Sequence, residues 1–378
     1  MAIKSFVKNA LGENEGAGST TQVRKKPSKD DEELAKIVEQ LKVNIKIVGC
    51  GGGGCNTVNR CMREGIFGAE LIAVNTDAKH LLSINANRKV LIGRRSTRGL
   101  GAGAIPQIGE ASTRESEDDI VNVLGRTDML FVTAGMGGGT GTGGAHVIAG
   151  IGKREKSLVI SIVTLPFSSE GRLRMENALY GFENLRKDSD TTIVIPNDKL
   201  LKLVPRLPLD EAFRVADQIL MEGLKGLTEI ITRPGLVNID YSDVKTIMSG
   251  GGIAMIGIGE SEASGQNRVE DAVQKAISSP LIDADISEAR GVLVRVVGDG
   301  SMTVSEAEAA VRLVHERVNQ NARIIWGASV DESMRGVIKV LIVVTGVRSP
   351  YMFDPKGNVS EAMNAVGIKG LDWGFDKI

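Results

Sequence analysis

The sequence predicts an α/β protein with a doubly wound parallel sheet, a long central helix and a second, smaller α/β domain. Three observations predict it. From Val43 onward the apolar runs VNIKIVG, AELIAVN, DMLFVTA, LVISIVTLP and DTTIVIP alternate with helical or glycine-rich segments, the pattern of parallel strands joined by crossovers. Between Leu209 and Thr232, Phe213, Ala216, Leu220, Leu224, Leu227 and Ile231 recur at helical spacing, and Pro234 and Gly235 end the helix they predict. Beyond it GIAMIGIGE, GVLVRVVGD, ARIIWGAS and VIKVLIVVTGV are strand-like, and the segments through RVEDAVQKAI and SEAEAAVRLVHERV are helical.

The elements divide the chain in order. Residues 1–42 form an N-terminal extension, polar and rich in Gly, Ser and Lys over 12–30, with a short helix from Asp30 to Leu41. Residues 43–208 form the ligand-binding domain, 209–235 the connecting helix and 236–347 the second domain. The segment 348–378 loses periodicity and reads as a tail. With 378 residues, 42% of them hydrophobic, the chain has enough material for two cores.

Several function classes are disfavoured at once. A formal net charge of -1 gives no basic field to draw the chain to nucleic acid. The local run NRKVLIGRRSTRG, Asn87 to Gly99, reads as solvated loop charge, with proximity to phosphate as the alternative. Cys50, Cys55 and Cys61 have neither zinc spacing nor an even count for a disulfide framework. His80, His146 and His315 are far apart, and no motif sets one beside a nucleophile. There is no run long enough for a direct transmembrane anchor and no secretory signal, so the expected location is cytoplasmic. Ile3, Phe6, Val7 and Ala10 fall at helical spacing, which suits a frayed or partner-docked terminus, or a weak interfacial helix.

Two glycine-rich turns follow two different strands. The first, GCGGGGCN (Gly49 to Asn56), satisfies GxGxxG at Gly49, Gly51 and Gly54, and Asp77 ends the next strand as a ribose-binding acid would. Alone, this suggests an NAD-binding enzyme. The second, GGGTGTG (Gly137 to Gly143), also joins a buried strand to a helix, and a dinucleotide fold needs only one such loop. Main-chain N–H groups at a helix N-terminus form an anion site, and two of them suit a chain of phosphates. Thr140 and Thr142 add hydroxyl donors, while Gly101, Ala102 and Gly103 of RGLGAGAIP lie where a loop would close over the terminal phosphate. No GxxxxGK[ST] occurs, so the expected ligand is a nucleoside triphosphate held chiefly by main-chain donors.

The ordered set GCGGGGCN, VNTDA, RGLGAGAIP, GMGGGTGTGG, TLPFSSEGRLR, IPNDKL and NIDYSD, running from about Val43 to Val347, closely resembles the FtsZ family, the prokaryotic tubulin-like cell-division GTPases. The resemblance implies a tubulin/FtsZ-like fold that binds GTP and GDP. It places Gly52, Gly53, Gly54, Cys55 and Asn56, together with Gly138, Gly139, Thr140, Gly141, Thr142 and Gly143, around the phosphates. Cys55 stands where the family usually has a smaller or non-thiol residue, which implies sensitivity of binding to thiol reagents. Glu170, Arg174 and Asn197 match nucleotide contacts; for Glu170 and Arg174 an i,i+4 surface ion pair is the plain alternative. Phe213 would pack on the base. Asp217 is the base reader, because a carboxylate accepts guanine N1–H and the N2 amine together and adenine offers no such pair.

The same resemblance assigns catalysis to the loop carrying Asn238, Asp240 and Asp243, which without it would read as helix caps or solvated charge. A helix of ~23 residues spans roughly 35 Å, so these acids cannot reach the phosphates of their own subunit. Acting on the next molecule requires a head-to-tail contact, which repeats as a filament. Mg²⁺ is expected with the triphosphate, and Asn75 and Asp77 are candidate groups around its water shell, the ligands being unassigned. The family further implies a division ring at mid-cell and a membrane-attached adaptor that takes the tail, where Leu371, Trp373, Phe375 and Ile378 stand among charges, with a back-docked terminus as the plain alternative. The rival from another class is a nucleotide-dependent structural filament with little turnover.

Overall fold

The computed structural model describes residues 43–203, 208–233, 235–263, 267–282 and 284–347; the expectations for the N-terminal extension and the tail lie outside them. Ten strands form one continuous sheet in the order β3-β2-β1-β4-β5-β6-β7-β10-β8-β9. The first six are β1 (Ile45–Cys50), β2 (Ala69–Asn75), β3 (Arg88–Leu91), β4 (Met129–Gly135), β5 (Leu158–Leu165) and β6 (Thr191–Pro196). They are parallel throughout, as the alternating pattern predicts. In β4, Met129 and Phe131 enter the core on one face, and Leu130, Val132 and Ala134 enter the core on the other. Both faces are covered, which is why the strands read as unbroken apolar runs.

β3 is the strand that composition hid. Arg88 and Lys89 are exposed on this edge strand, so the segment read as loop charge. Charged side chains on an edge strand discourage pairing with other chains.

β7 (Gly252–Ser261) continues the sheet by pairing parallel to β6 through Thr191 and Gly252. Here the direction changes. β10 (Ile338–Thr345) runs antiparallel to both β7 and β8 (Gly291–Gly298), and β9 (Arg323–Val330) pairs parallel to β8. The connection from β9 to β10, residues 331–337, is too short for the dozen or so residues that a parallel crossover needs.

Eleven α-helices are present among the described residues. In chain order the first seven are α1 (Gly51–Glu64), α2 (Ala78–Ser83), α3 (Pro106–Glu115), α4 (Glu117–Leu124), α5 (Thr140–Arg154), α6 (Arg172–Asp188) and α7 (Asn197–Leu203). α8 (Leu209–Thr232) is the long central helix, and α9 (Tyr241–Met248), α10 (Asn267–Ile277) and α11 (Val304–His315) follow. Along α8, Ala212, Ala216, Leu220, Leu224 and Leu227 are buried. Glu229, near its end, is buried and meets Arg295 of β8 at 2.8 Å, fastening the helix to the second half of the sheet.

The glycines of the second loop divide into two jobs. Gly143 lets α5 lie directly on α3: a Cβ there would sit 1.9 Å from the Pro106 carbonyl oxygen and 2.6 Å from Glu110 N. Both obstacles are backbone and cannot swing away. G143A should therefore lose about 1–3 kcal/mol of unfolding free energy in a urea titration, through the overpacking it forces. A variant as stable as the parent would mean that the two helices can separate freely.

Candidate functional site: a nucleotide-sized cavity at the strand ends

In the parallel part of the sheet the order reverses between β1 and β4, and the two glycine loops leave those two strands. A crevice outside the carboxyl ends of strands at such a reversal is where open α/β sheets bind ligands. It holds a cavity of about 590 Å³.

Two helix N-termini face it. α1 begins at Gly51 and α5 at Thr140; neither has a side-chain cap and neither carries an acidic residue in its first turn. Their leading N–H groups and positive dipole ends are thus available to an anion. The loops also pack on each other: a Cβ on Gly51 would stand 2.6 Å from Gly141 N. Gly52 and Gly138, in contrast, have no atom within 4 Å of the position a Cβ would take, so the open side of each loop faces space that a ligand can fill.

Most of the residues picked out by sequence come together here. Gly52, Gly53, Asn56, Asn75, Asp77, Gly101, Ala102, Gly103, Gly138, Gly139, Thr140, Gly141, Glu170, Arg174, Asn197, Phe213 and Asp217 all line the cavity. Glu170 and Arg174 form the i,i+4 ion pair as well, and Glu170 Oε1 accepts the Phe167 N–H at 2.9 Å, so the two readings are one arrangement. Phe213 stands edge-on to Phe167, ring centroids 5.1 Å apart, and remains 38% exposed. Asn197 is buried and its Oδ1 has no hydrogen-bond partner, an acceptor that a ligand hydroxyl would satisfy.

Four expected contacts are not on the cavity wall. Gly54 is turned to β4, where a Cβ would meet the Thr133 carbonyl at 2.3 Å. Gly143 serves the α3 contact. The Thr142 hydroxyl accepts the Gly137 N–H at 2.9 Å and shapes the loop rather than presenting a donor. Cys55 is fully buried on the inner face of α1 with its thiol directed to the Gly49 and Val74 carbonyls, and burial pushes its pKa up to about 12. The expected thiol sensitivity at Cys55 therefore has no exposed nucleophile behind it.

Asn238, Asp240 and Asp243 are exposed, and they lie at the other edge of the sheet. Asp240 caps α9 by accepting the Asp243 N–H at 2.8 Å, and Asn238 accepts the Gly235 N–H at 2.7 Å. On the next residue, the Tyr241 hydroxyl donates to the carbonyl of Asp128, which precedes β4. Gly135, the last residue of that seven-residue strand, lines the cavity. A strand of this length separates the two edges by roughly 20 Å.

Thr76, His80, Ala104, Gly135, Met136, Thr164, Pro166 and Ala216 also line the cavity and were not picked out as contacts. Thr76 and Thr164 lie within VNTDA and TLPFSSEGRLR, so the motifs held the signal; His80 carried none. The Thr76 and Thr140 hydroxyls meet at 2.6 Å beneath the second loop.

The profile described as Tubulin/FtsZ family, GTPase domain, matches residues 44–205, and that of the FtsZ family C-terminal domain matches residues 252–348. Over 358 residues the chain is 49% identical to cell division protein FtsZ 1 of Archaeoglobus fulgidus, spanning 94% of this chain and 96% of that one. The chain belongs to the FtsZ family. It is 46% identical over 363 residues to cell division protein FtsZ 1 of Methanocaldococcus jannaschii, across 96% and 99% of the two chains. The solved FtsZ dimer from M. jannaschii superposes with a TM-score of 0.81 at 48% identity, covering 84% of this chain and 92% of that one. CetZ2 from Haloferax volcanii, at 22% identity and a TM-score of 0.72, shares the fold. The protein is thus a GTPase of a cell-division cytoskeletal family, binding GTP and GDP. Among its described residues no helix is long and apolar enough to cross a membrane.

Asp217 is the one carboxylate in this FtsZ cavity with a strongly displaced titration: burial raises it from 3.8 to about 6, against the pull of the Arg60 charge. The folded protein without nucleotide holds this proton more tightly than the unfolded chain does. Relative to the unfolded chain, this stabilises the fold below about pH 4, and the contribution is lost as pH rises through about 6. D217N should accordingly stabilise the nucleotide-free protein at pH 7.5 by on the order of 1–3 kcal/mol and leave it unchanged near pH 3.5. Equal unfolding free energies at both pH values would show that Asp217 is solvated like a surface acid.

Proposed function

We propose that the cavity holds GTP with its phosphates on the N-termini of α1 and α5, its base between Phe213 and Asp217, and its ribose near Glu170, Arg174 and Asn197. The observation that carries the rest of the reading is the placement of Asp240 and Asp243 at the edge of the sheet away from the cavity. They cannot act on the nucleotide of their own copy. Stacked head to tail, however, one copy's α9 edge faces the next copy's cavity, and the two acids reach its γ-phosphate. There they orient the attacking water and accept its proton, with Asn238 ordering the loop, while the main-chain donors of α1 and α5 hold the charge of the transferred phosphoryl group. Stacking completes the active site, and loss of the γ-phosphate weakens the contact.

Among the described residues no group of His, Cys, Asp or Glu could hold a metal ion without help. Asn75 and the Oδ1 of Asp77 are already engaged by main-chain N–H groups. This donor set would fit Mg²⁺ arriving on the triphosphate with most of its waters, for which Asp77 rather than the already engaged Asn75 Oδ1 would be the acceptor; the ion would supply neutralising charge.

The head-to-tail contact is heterologous and repeats as an open filament. That a relative was solved as an FtsZ dimer supports self-association. On the same reading, residues 43–208 bind nucleotide together with Phe213 and Asp217 of the connecting helix, 236–347 supply the completing edge, the filament forms the division ring at mid-cell, and the tail recruits a membrane-attached adaptor.

Because Asp240 also caps α9, the informative substitution keeps the cap. D240N and D243N should retain GTP affinity within about threefold and lose GTP hydrolysis by at least ~100-fold, since asparagine caps a helix as well as aspartate does but accepts no proton. Retained turnover in both variants would leave a structural filament as the better reading; loss of GTP binding would contradict the separation of the two edges.

A further inference from the structure

The cavity wall between the turn after β2 and α1 contains a hydrogen-bonded relay whose polarity is set by the main chain. Asn75 is buried, and its Oδ1 accepts the N–H of Thr76 at 2.8 Å and that of Asp77 at 3.3 Å. Main-chain N–H groups only donate, so the amide is fixed with its oxygen toward the turn and its nitrogen outward. That nitrogen lies 3.1 Å from His80 Nδ1. An amide nitrogen only donates, so Nδ1 is the unprotonated nitrogen of the ring. The ring proton then sits on Nε2, which lies 3.1 Å from Asn56 Oδ1 and donates to it. The oxygen of Asn56 is turned to the imidazole, and its amide nitrogen is left as a donor on the cavity wall.

His80 is itself held. Its N–H donates to Asp77 Oδ1 at 2.9 Å and its carbonyl accepts the Ser83 hydroxyl at 2.7 Å, both within the short helix α2. The relay therefore has a fixed start, a fixed middle and one outward-facing end.

That end stands where the base is placed. Asn56 and Asp217 are the two residues that line both the nucleotide cavity and a second cavity of about 500 Å³ adjoining it on the α8 side. We infer that His80 is a positioning residue for base recognition, pinning Asn56 so that its amide nitrogen donates to guanine O6. This inference rests on the nucleotide reading proposed above. Asp217 accepts guanine N1–H and the N2 amine, and O6 is the acceptor next to N1 on the same edge of the base. Adenine presents an amine in place of O6, so a donor-locked Asn56 meets another donor and both lose their partners. Discrimination of this kind is strong because it leaves polar groups unpaired. Without the imidazole the Asn56 amide is free to turn over and offer its oxygen to adenine.

The tautomer can be read in the unmodified protein by ¹⁵N NMR of histidine-labelled material, which has only three histidines, with His80→Gln assigning the signal. Protonation at Nε2 is expected; protonation at Nδ1 would overturn the relay. Dissociation constants for GTP and ATP then test its consequence in H80F, H80Q, N56A and the double variant H80F/N56A. H80F should narrow the preference for GTP by roughly 10-fold, the scale of one lost hydrogen bond in a desolvated site. H80Q, whose amide nitrogen can donate to Asn56, should restore most of it, and H80F should add nothing in the N56A background. Wild-type preference in H80F, or losses that simply add in the double variant, would refute a positioning role. Failure of the underlying nucleotide reading looks different: the parent protein itself would bind GTP and ATP alike while the Nε2 tautomer persisted.

Discussion

The direction of the first six strands governs everything else in this molecule. Because they are parallel, every carboxyl end lies on one edge, and each following helix begins there. Two such helices, α1 and α5, bring their positive ends to the crevice where the strand order reverses. The same direction sends each chain return to the opposite edge, and α9 arrives there with Asp240 and Asp243. The donors proposed for a phosphate chain and the acids proposed for hydrolysis are separated by the length of a strand. On the proposed reading, a single copy holds half of each of two active sites.

Building the crevice costs stability in identifiable places. Asp217 is held in surroundings that favour its neutral form more than water does, although its proposed role in reading guanine requires the carboxylate. The glycine loops give up side chains that would otherwise pack. These costs are offset along the rest of α8: its apolar stripe is buried along the sheet from Leu220 to Leu227, and the Glu229–Arg295 pair anchors its far end to β8. Such a pair contributes mainly by holding the elements in one arrangement, since desolvation cancels much of its attraction.

What the sequence disclosed follows from the physics of each signal. Strands buried on both faces are long apolar runs, and α8 has an unmistakable period, so these elements were legible. β3 was not, because an edge strand exposes Arg88 and Lys89 and resembles a loop. The glycine loops were legible as strand-to-helix turns, but composition cannot separate glycines that face the cavity from those that face a neighbouring helix; Gly52 and Gly143 differ only in three dimensions. Cys55 next to Asn56 reads as a contact until the helix turn buries one and exposes the other. His80 was invisible because its partners, Asn75 and Asn56, meet it through the fold. The antiparallel turn at β10 leaves no mark within the strand itself, only in the short connection before it.

The most direct measurement of the central claim is phosphate release from GTP, per molecule, as a function of protein concentration. If the acids of one copy complete the site of the next, activity per molecule should be near zero at low concentration and rise steeply above a threshold at which filaments form. Activity per molecule that stays constant on dilution would mean that each copy carries a whole active site, and the division of labour between the two edges of the sheet would be wrong.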